Sequence, residues 1–156
     1  MTRRALVIVA STRAAAGEYE DRSGPILVNF LREQGFDTLE PVVVADADID
    51  AALSRAFADA PSVILTSGGT GITPDDRTVE ALTPHLEREL PGLAHAFYAH
   101  SVGIPTAALS RTVAGVSHKT FAMALPGSTG AAKDGCAVLE PVLHHIINQL
   151  EGINEH

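Results

Sequence analysis

Cysteine is nearly missing from this chain. Cys136 is the only one in 156 residues, so no disulfide can close within it and no thiolate-rich zinc or iron–sulfur site can form. That usage fits a reducing compartment. Cations are also scarce: 11 lysines and arginines face 19 acidic residues, and the net charge of −8 opposes non-specific attraction to nucleic acid or an anionic membrane surface. Long apolar runs are absent too. Thr2-Arg3-Arg4 precedes an apolar stretch that stops at Ala10, before Ser11-Thr12-Arg13, which is too short for the core of a secretion signal. No segment approaches the ~18 uninterrupted apolar residues of a membrane span. The expectation is a soluble, cytoplasmic protein with no nucleic-acid or membrane partner. What the chain does have is 46% hydrophobic and 19% charged residues, enough for a substantial core, and its length suits a single domain over residues 1–156.

Ala5 to Ala10 reads ALVIVA, a β-branched apolar run that suits a strand buried on both faces of a parallel sheet. A polar loop is expected from Ser11 to Arg22. Ser23 is placed as an N-cap with Pro25 in the first turn, and Ile26, Leu27, Phe30 and Leu31 supply the apolar stripe of a helix ending near Gly35. Thr38 to Val44 reads as a second strand, Asp48 to Ala58 as a helix capped by Asp48, and Ser62 to Thr66 as a third strand. This βαβαβ alternation implies a parallel sheet. Further on, the pattern predicts a helical stretch from about Val79 to Leu90 and a short helix over Leu93 to His100, beyond the Pro91-Gly92 break. A buried strand over Thr120 to Leu125 and a helix from about Ala131 follow, with Pro141 restarting a last helix through Leu150. Thr106 to Val116 shows no clear period, and the tail from Glu151 to His156 is expected to fray.

Two glycine loops each join a strand's carboxyl end to a helix, which is where open α/β sheets bind ligands. The first, SGGTGITPDDRT, runs from Ser67 to Thr78; the second, PGSTG, from Pro126 to Gly130. Gly68, Gly69 and Gly71 permit positive φ and close approach, and free N–H groups at such turns and at helix N-termini hold phosphate oxygens. A lone loop is as readily a plain tight turn. The pair, one carrying Asp75-Asp76, points to an anion site, and because the donors are backbone amides the negative net charge does not oppose it. Neither loop carries a standard nucleotide fingerprint. The dinucleotide pattern set on Gly69 and Gly71 needs a glycine where Pro74 stands, and the Walker-type loop needs Gly-Lys, whereas Lys119 and Lys133 follow no glycine.

Asp76 lies just past the first loop and Asp46 just past the second predicted strand, so in a parallel sheet both carboxylates can reach one rim. Together they could hold Mg²⁺, with phosphate oxygens and water completing its shell, as phosphoryl or nucleotidyl transfer requires. A solvated or helix-starting acid is the plain alternative for Asp46, and Asp75 reads as a cap or a solvated acid. Arg111, Lys119 and Lys133 are cations able to meet a phosphate, with surface charge as the alternative. The seven histidines form no metal pattern: His144 and His145 are adjacent, and His95 and His100 miss the i, i+4 spacing. The absence of G-x-S-x-G excludes a Ser–His–Asp hydrolase, while Ser67 and Ser128 remain candidate hydrogen-bond donors.

Four ordered stretches carry a resemblance. TSGGTGITPDDRTVEA (Thr66 to Ala81), ELPG (Glu89 to Gly92), ALSRTVAG (Ala108 to Gly115) and ALPGSTGAAKDG (Ala124 to Gly135) resemble the MogA/MoaB family of molybdenum-cofactor biosynthesis proteins, nearly end to end. The resemblance implies a three-layer α/β domain with a central, mostly parallel sheet flanked by helices, assembled as a homotrimer, with molybdopterin at the strand-end loops. It implies MgATP-dependent adenylylation of molybdopterin, with pyrophosphate released and the product passed to a molybdenum-insertion protein. A non-catalytic, molybdopterin-binding MoaB-type protein is the alternative, and a competence-damage-type or hydrolase-like domain on the same scaffold is a third reading.

By the same resemblance, the family's two functional acids fall on Asp46 and Asp76, as catalytic residues and as the Mg²⁺ ligands. Ser67, Gly68, Gly69, Thr70 and Gly71 match its pterin-binding turn, Ser110-Arg111 its Ser-Arg pair, and Pro126-Gly127-Ser128 its second binding loop. Ser11 and Arg13 match the flanks of its N-terminal Ser-Asp-Arg element, with Thr12 in place of the acid. Asp75 is acidic where many members carry a basic residue. Thr129 stands where proline is frequent, which restores a backbone N–H to the second loop.

Overall fold

The computed structural model describes residues 2–153. The apolar run nearest the N-terminus forms β1 (Arg4–Ala10), which pairs in parallel with β4 (Val63–Ser67) on one side. On its other side β1 carries two short parallel strands, β2 (Asp37–Thr38) beside Arg4 and Ala5, and β3 (Val42–Val44) beside Ile8 to Ala10. Beyond β4 comes β7 (Thr120–Leu125), also parallel, and then β6 (Val113–Ser117) and β5 (Arg88–Glu89), both antiparallel to their neighbours. The result is a seven-stranded, mostly parallel sheet in the order β2-β1-β4-β7-β6-β5, with β3 also on β1.

Helices cover both faces. On one lie α2 (Ser23–Glu33), α5 (Pro91–His100), α6 (Thr129–Leu139) and α7 (Leu143–Leu150), and on the other α3 (Ile49–Ala58) and α4 (Thr78–Leu82). Strand alternation sorts the side chains between them: Val7, Val9, Leu65, Phe121, Met123 and Leu125 pack toward the first layer, while Ile8, Ile64, Ala122 and Ala124 pack toward the second. Each fully buried leucine or isoleucine, such as Leu27, Leu53 and Ile64, contributes ~1.5–3 kcal/mol. Strand order reverses between β1 and β4: the chain leaves β1 through α2 to β2 and β3 on one side, then crosses through α3 to β4 on the other. The carboxyl ends of β1 and β4 therefore flank a topological switch point, and the loops that leave them share one rim.

Several local expectations are corrected. The polar stretch after β1 contains a short helix, α1 (Thr12–Ala15), because Ser11 Oγ accepts from the Ala14 N–H as its cap. Asp21 caps α2, not Ser23: its Oδ1 accepts from the N–H groups of Ser23 and Gly24. The single strand over Thr38 to Val44 is two pieces, interrupted at Pro41, which has no N–H for a ladder. Asp48 makes no side-chain cap and ends a 3₁₀ turn from Asp46 to Asp48 that precedes α3. The predicted helix to Leu90 stops at Leu82, where Pro84 tightens the chain into a 3₁₀ turn, and Arg88–Glu89 instead forms edge strand β5. Unassigned residues 106–116 hold the end of another 3₁₀ turn (Pro105–Leu109) and most of β6. Of the tail expected to fray, Glu151 pairs with Arg3 at 2.8 Å, and residues 154–156 lie outside the described residues. Among the described residues, no helix is long and apolar enough to cross a membrane.

Candidate functional site

The two glycine loops meet. Each begins where a parallel strand ends, and because β4 and β7 are paired in register, Gly68 and Gly127 come to rest side by side. A Cβ on Gly127 would lie 3.3 Å from Gly68 Cα, and the Gly68 N–H donates to Leu125 O at 2.9 Å. From the other side β1 presses on the first loop: a Cβ on Gly68 would lie 2.3 Å from Ala10 O. Gly68 and Gly69 hold φ of +94° and +74°, a left-handed geometry that glycine alone takes at little cost. Thr78, the first residue of α4, fills the space above Gly69, where a Cβ would meet its Oγ1 at 2.1 Å. That hydroxyl and Thr66 Oγ1 are buried without a hydrogen-bond partner.

The Ser110-Arg111 pair closes the first loop from the β6 side. Thr70 Oγ1 and Ser110 Oγ lie 2.9 Å apart, and the Arg111 N–H donates to Thr70 O at 2.8 Å. Tyr98 of α5 ties the same corner, donating its hydroxyl to Ser110 O and accepting from the Thr112 N–H. Arg111 was a candidate phosphate contact, but its guanidinium is committed to the loop. It donates to Gly71 O from Nε at 3.0 Å and from Nη2 at 2.7 Å, and it pairs with the Glu80 carboxylate. Its hydrogen bond holds the Glu80 carboxyl below the usual carboxylate range, and the Arg111 pKa is raised in return.

Asp46 and Asp76 stand on this same rim, one after β3 and one in the loop after β4. Each is held by a threonine through Oδ2 alone. Thr12 Oγ1 donates to Asp46 Oδ2 at 2.9 Å while accepting from the Asp46 N–H at 3.1 Å, and Thr73 Oγ1 donates to Asp76 Oδ2 at 2.7 Å. Thr12 thus orients Asp46 through its hydroxyl. Among the described residues, no group of three or more histidines, cysteines or acids could hold a metal, which leaves the Asp46 and Asp76 carboxylates as the candidate donors. That donor set, hard oxygen only with Oδ1 of each acid uncommitted, fits Mg²⁺ carried largely by phosphate oxygens and water.

The second loop opens into a cleft. Ser128 caps α6, its Oγ accepting from the Ala131 N–H at 3.0 Å, so its hydroxyl hydrogen remains to be donated. Pro126, Gly127, Ser128 and Ser110 line one end of a cavity of about 630 Å³ that extends between α5 and α6 to His100, Ser101 and Asp134. Other predicted residues lie elsewhere or inward. The Ser67 hydroxyl is fully buried, 2.7 Å from Ser23 Oγ, and supports the loop from beneath. Ser11 caps α1, and Arg13 lies over the ring of Tyr19. Lys119 sits in the β6–β7 turn, at the opposite end of β7 from the second loop, and Lys133 lines a groove with Ile26 and Glu33 of α2. Neither reaches the cleft. Ser101 and Asp134, 33 residues apart and joined by a hydrogen bond from Ser101 Oγ to Asp134 Oδ2, line the cleft with no signal in the sequence.

The model of a probable molybdopterin-binding domain matches residues 6–145. The chain belongs to the molybdopterin-binding MogA/MoaB family. As a member, it is 34% identical over 149 residues to the molybdopterin adenylyltransferase of Pyrococcus furiosus, covering 90% of this chain and 87% of that protein. It is 40% identical over 152 residues to the molybdenum cofactor biosynthesis bifunctional protein of Synechococcus elongatus, of which it spans 47% of the length against 95% of its own. The solved molybdopterin biosynthesis Mog protein of Mycobacterium ulcerans superposes with a TM-score of 0.91 at 43% identity, covering 97% of this chain and 99% of that one. The first glycine turn, the Ser110-Arg111 pair and the second loop converge at the ends of β4 and β7.

Proposed function

We infer that this protein adenylylates molybdopterin. The observation that carries the reading is the contact between Gly68 and Gly127, which merges two loops of backbone donors into one rim, with Asp76 against Gly71 and Asp46 following β3. In the reaction, a terminal phosphate oxygen of molybdopterin attacks the α-phosphorus of ATP, an O–P bond forms, and the bond to the pyrophosphate oxygen breaks with its electron pair leaving on pyrophosphate. A divalent ion brought with ATP would neutralise the charge that develops on the phosphates. The chain's own residues hold and align. N–H groups of the first turn beyond Gly68, whose own is bound to Leu125 O, and those of the α6 N-terminus grip phosphate oxygens, and Arg111 keeps the first turn closed by binding Gly71 O and Glu80. Thr12 and Thr73 aim the two carboxylates.

Asp76→Ala should abolish pyrophosphate release from MgATP and molybdopterin while leaving molybdopterin affinity within about threefold, because the carboxylate serves the transferring group. Equal loss of both would remove that role from Asp76. Tight molybdopterin binding by the wild-type protein without any pyrophosphate would favour the MoaB-type binding module. We further propose a homotrimer that passes its product to a molybdenum-insertion protein. The exposed apolar side chains of Val102, Ile104 and Leu109 support an interface near the cleft, and light scattering of the purified protein tests it.

A further inference from the structure

The cleft does not end at the second glycine loop. It follows α6 inward from Ser128 to Asp134, six residues along the helix and therefore about 9 Å at 1.5 Å per residue. Between these ends the walls are small or apolar: Gly130 and Ala131 on one side, Gly103, Ile104 and Ala107 on the other, with Phe97 buried at the base. Such walls leave a slot for a flat ring system. At its far end stands Asp134, its side chain 27% exposed. Ser101, itself buried, donates from Oγ to Asp134 Oδ2 at 2.8 Å, and His100 Nε2 lies 3.5 Å from Oδ1. The carboxylate is thus held from the α5 side, while each of its oxygens keeps a lone pair for a guest in the slot.

We propose that Asp134 reads the aminopyrimidinone edge of the pterin, accepting hydrogen bonds from its ring N3–H and its 2-amino group while the phosphate end of the same molecule lies on the second glycine loop. The assignment rests on the molybdopterin reading above and adds to it which substrate takes the cleft and which way round. A carboxylate accepts and does not donate, so it pairs with an edge that offers adjacent N–H donors. The adenine edge of ATP offers one donor beside a ring-nitrogen acceptor, which a carboxylate repels. The anionic phosphate is likewise excluded from the Asp134 end and drawn to the α6 N-terminus, so charge alone orients the guest.

Pterin and lumazine separate this from a purely structural role, because they differ at C2, where one carries an amino group and the other a carbonyl. Displacement of molybdopterin from the full chain by each compound should show wild-type protein preferring pterin by at least about tenfold, the scale expected when a positioned acceptor loses its donor. Asp134→Asn should erase that preference and weaken molybdopterin binding by a similar factor, with ATP affinity and the melting temperature unchanged. Asp134→Glu, which keeps the carboxylate, should restore the preference even where the affinity falls. A folded Asp134→Asn protein that still prefers pterin overturns the assignment, as does an Asp134→Glu protein without the preference. Wild-type protein that binds no molybdopterin overturns the functional reading itself, whereas wild-type and Asp134→Asn proteins that bind it equally overturn the role of Asp134 alone.

Discussion

The two glycine loops touch at the ends of neighbouring strands, yet their glycines answer to different constraints. In the first, Gly68 and Gly69 have positive φ and no room for a Cβ, pressed as they are against Ala10 O and Thr78 Oγ1. Gly71 is crowded as well, its missing Cβ falling 2.6 Å from Asp76 Oδ2. In the second, Gly127 has ordinary backbone angles and only a near contact with Gly68, and Gly130 meets nothing closer than 4.0 Å. The first loop is a packed turn closed by Arg111; the second is an open approach to a helix N-terminus. Glycine is dictated by shape in the first, whereas the second leaves its glycines less crowded.

Substitutions should separate those two demands. The largest effect is expected for Gly69→Ala, where strain at positive φ adds to a clash with Thr78, for a loss of at least ~2 kcal/mol in denaturant-unfolding stability. Gly127→Ala should cost less, about 1 kcal/mol, because no positive φ adds strain to its contact with the Gly68 backbone, and yet weaken molybdopterin binding, since its Cβ would crowd the rim proposed to hold the phosphate. Equal destabilisation by both would erase the distinction.

The Arg111 clamp offers a pH test of the first loop. Arg111 lowers the Glu80 pKa in the folded protein, so the pair stabilises the fold at pH above the ordinary glutamate value of 4.5 and loses that contribution as pH falls through the lowered value. Melting temperatures of wild-type protein and Glu80→Gln should therefore differ at neutral pH and converge in strong acid. A constant gap across that range would show that the pair does not close the loop. The smallest effect is expected at Cys136, whose thiol is pushed up to about 11 by burial. Its alkylation at neutral pH should run roughly a hundredfold slower than that of an exposed thiol. Molybdopterin affinity should be the same before and after modification, since the second loop acts through backbone amides and Cys136 lines a groove toward α2.

Strands β1, β4 and β7 were legible as sequence because burial on both faces leaves an unbroken apolar run, whatever the neighbours. Edge elements were not. Arg88–Glu89 carries no apolar pattern and becomes a strand only because Gly115 and Val116 lie beside it, and Pro41 splits what reads as one strand into two. The site divides the same way. The glycine turns and both acids were visible from residue type and position, since their chemistry is local. The duties of Ser67, Arg111 and Lys119 were not, because a hydroxyl or a cation has no direction in a sequence: Ser67 faces inward to Ser23, Arg111 binds the loop it was expected to supplement, and Lys119 sits at the far end of its strand.

Sequence by itself determined the layer architecture and the two glycine loops, because hydrophobic period and glycine spacing are properties of contiguous residues, and four ordered motifs carried the resemblance to the family. Only tertiary structure decided that those loops meet, that Thr12 orients Asp46, and that Ser101 delivers Asp134 to the end of a cleft. These depend on strand order and helix packing, which bring together groups 59, 34 and 33 residues apart through contacts that no local pattern encodes.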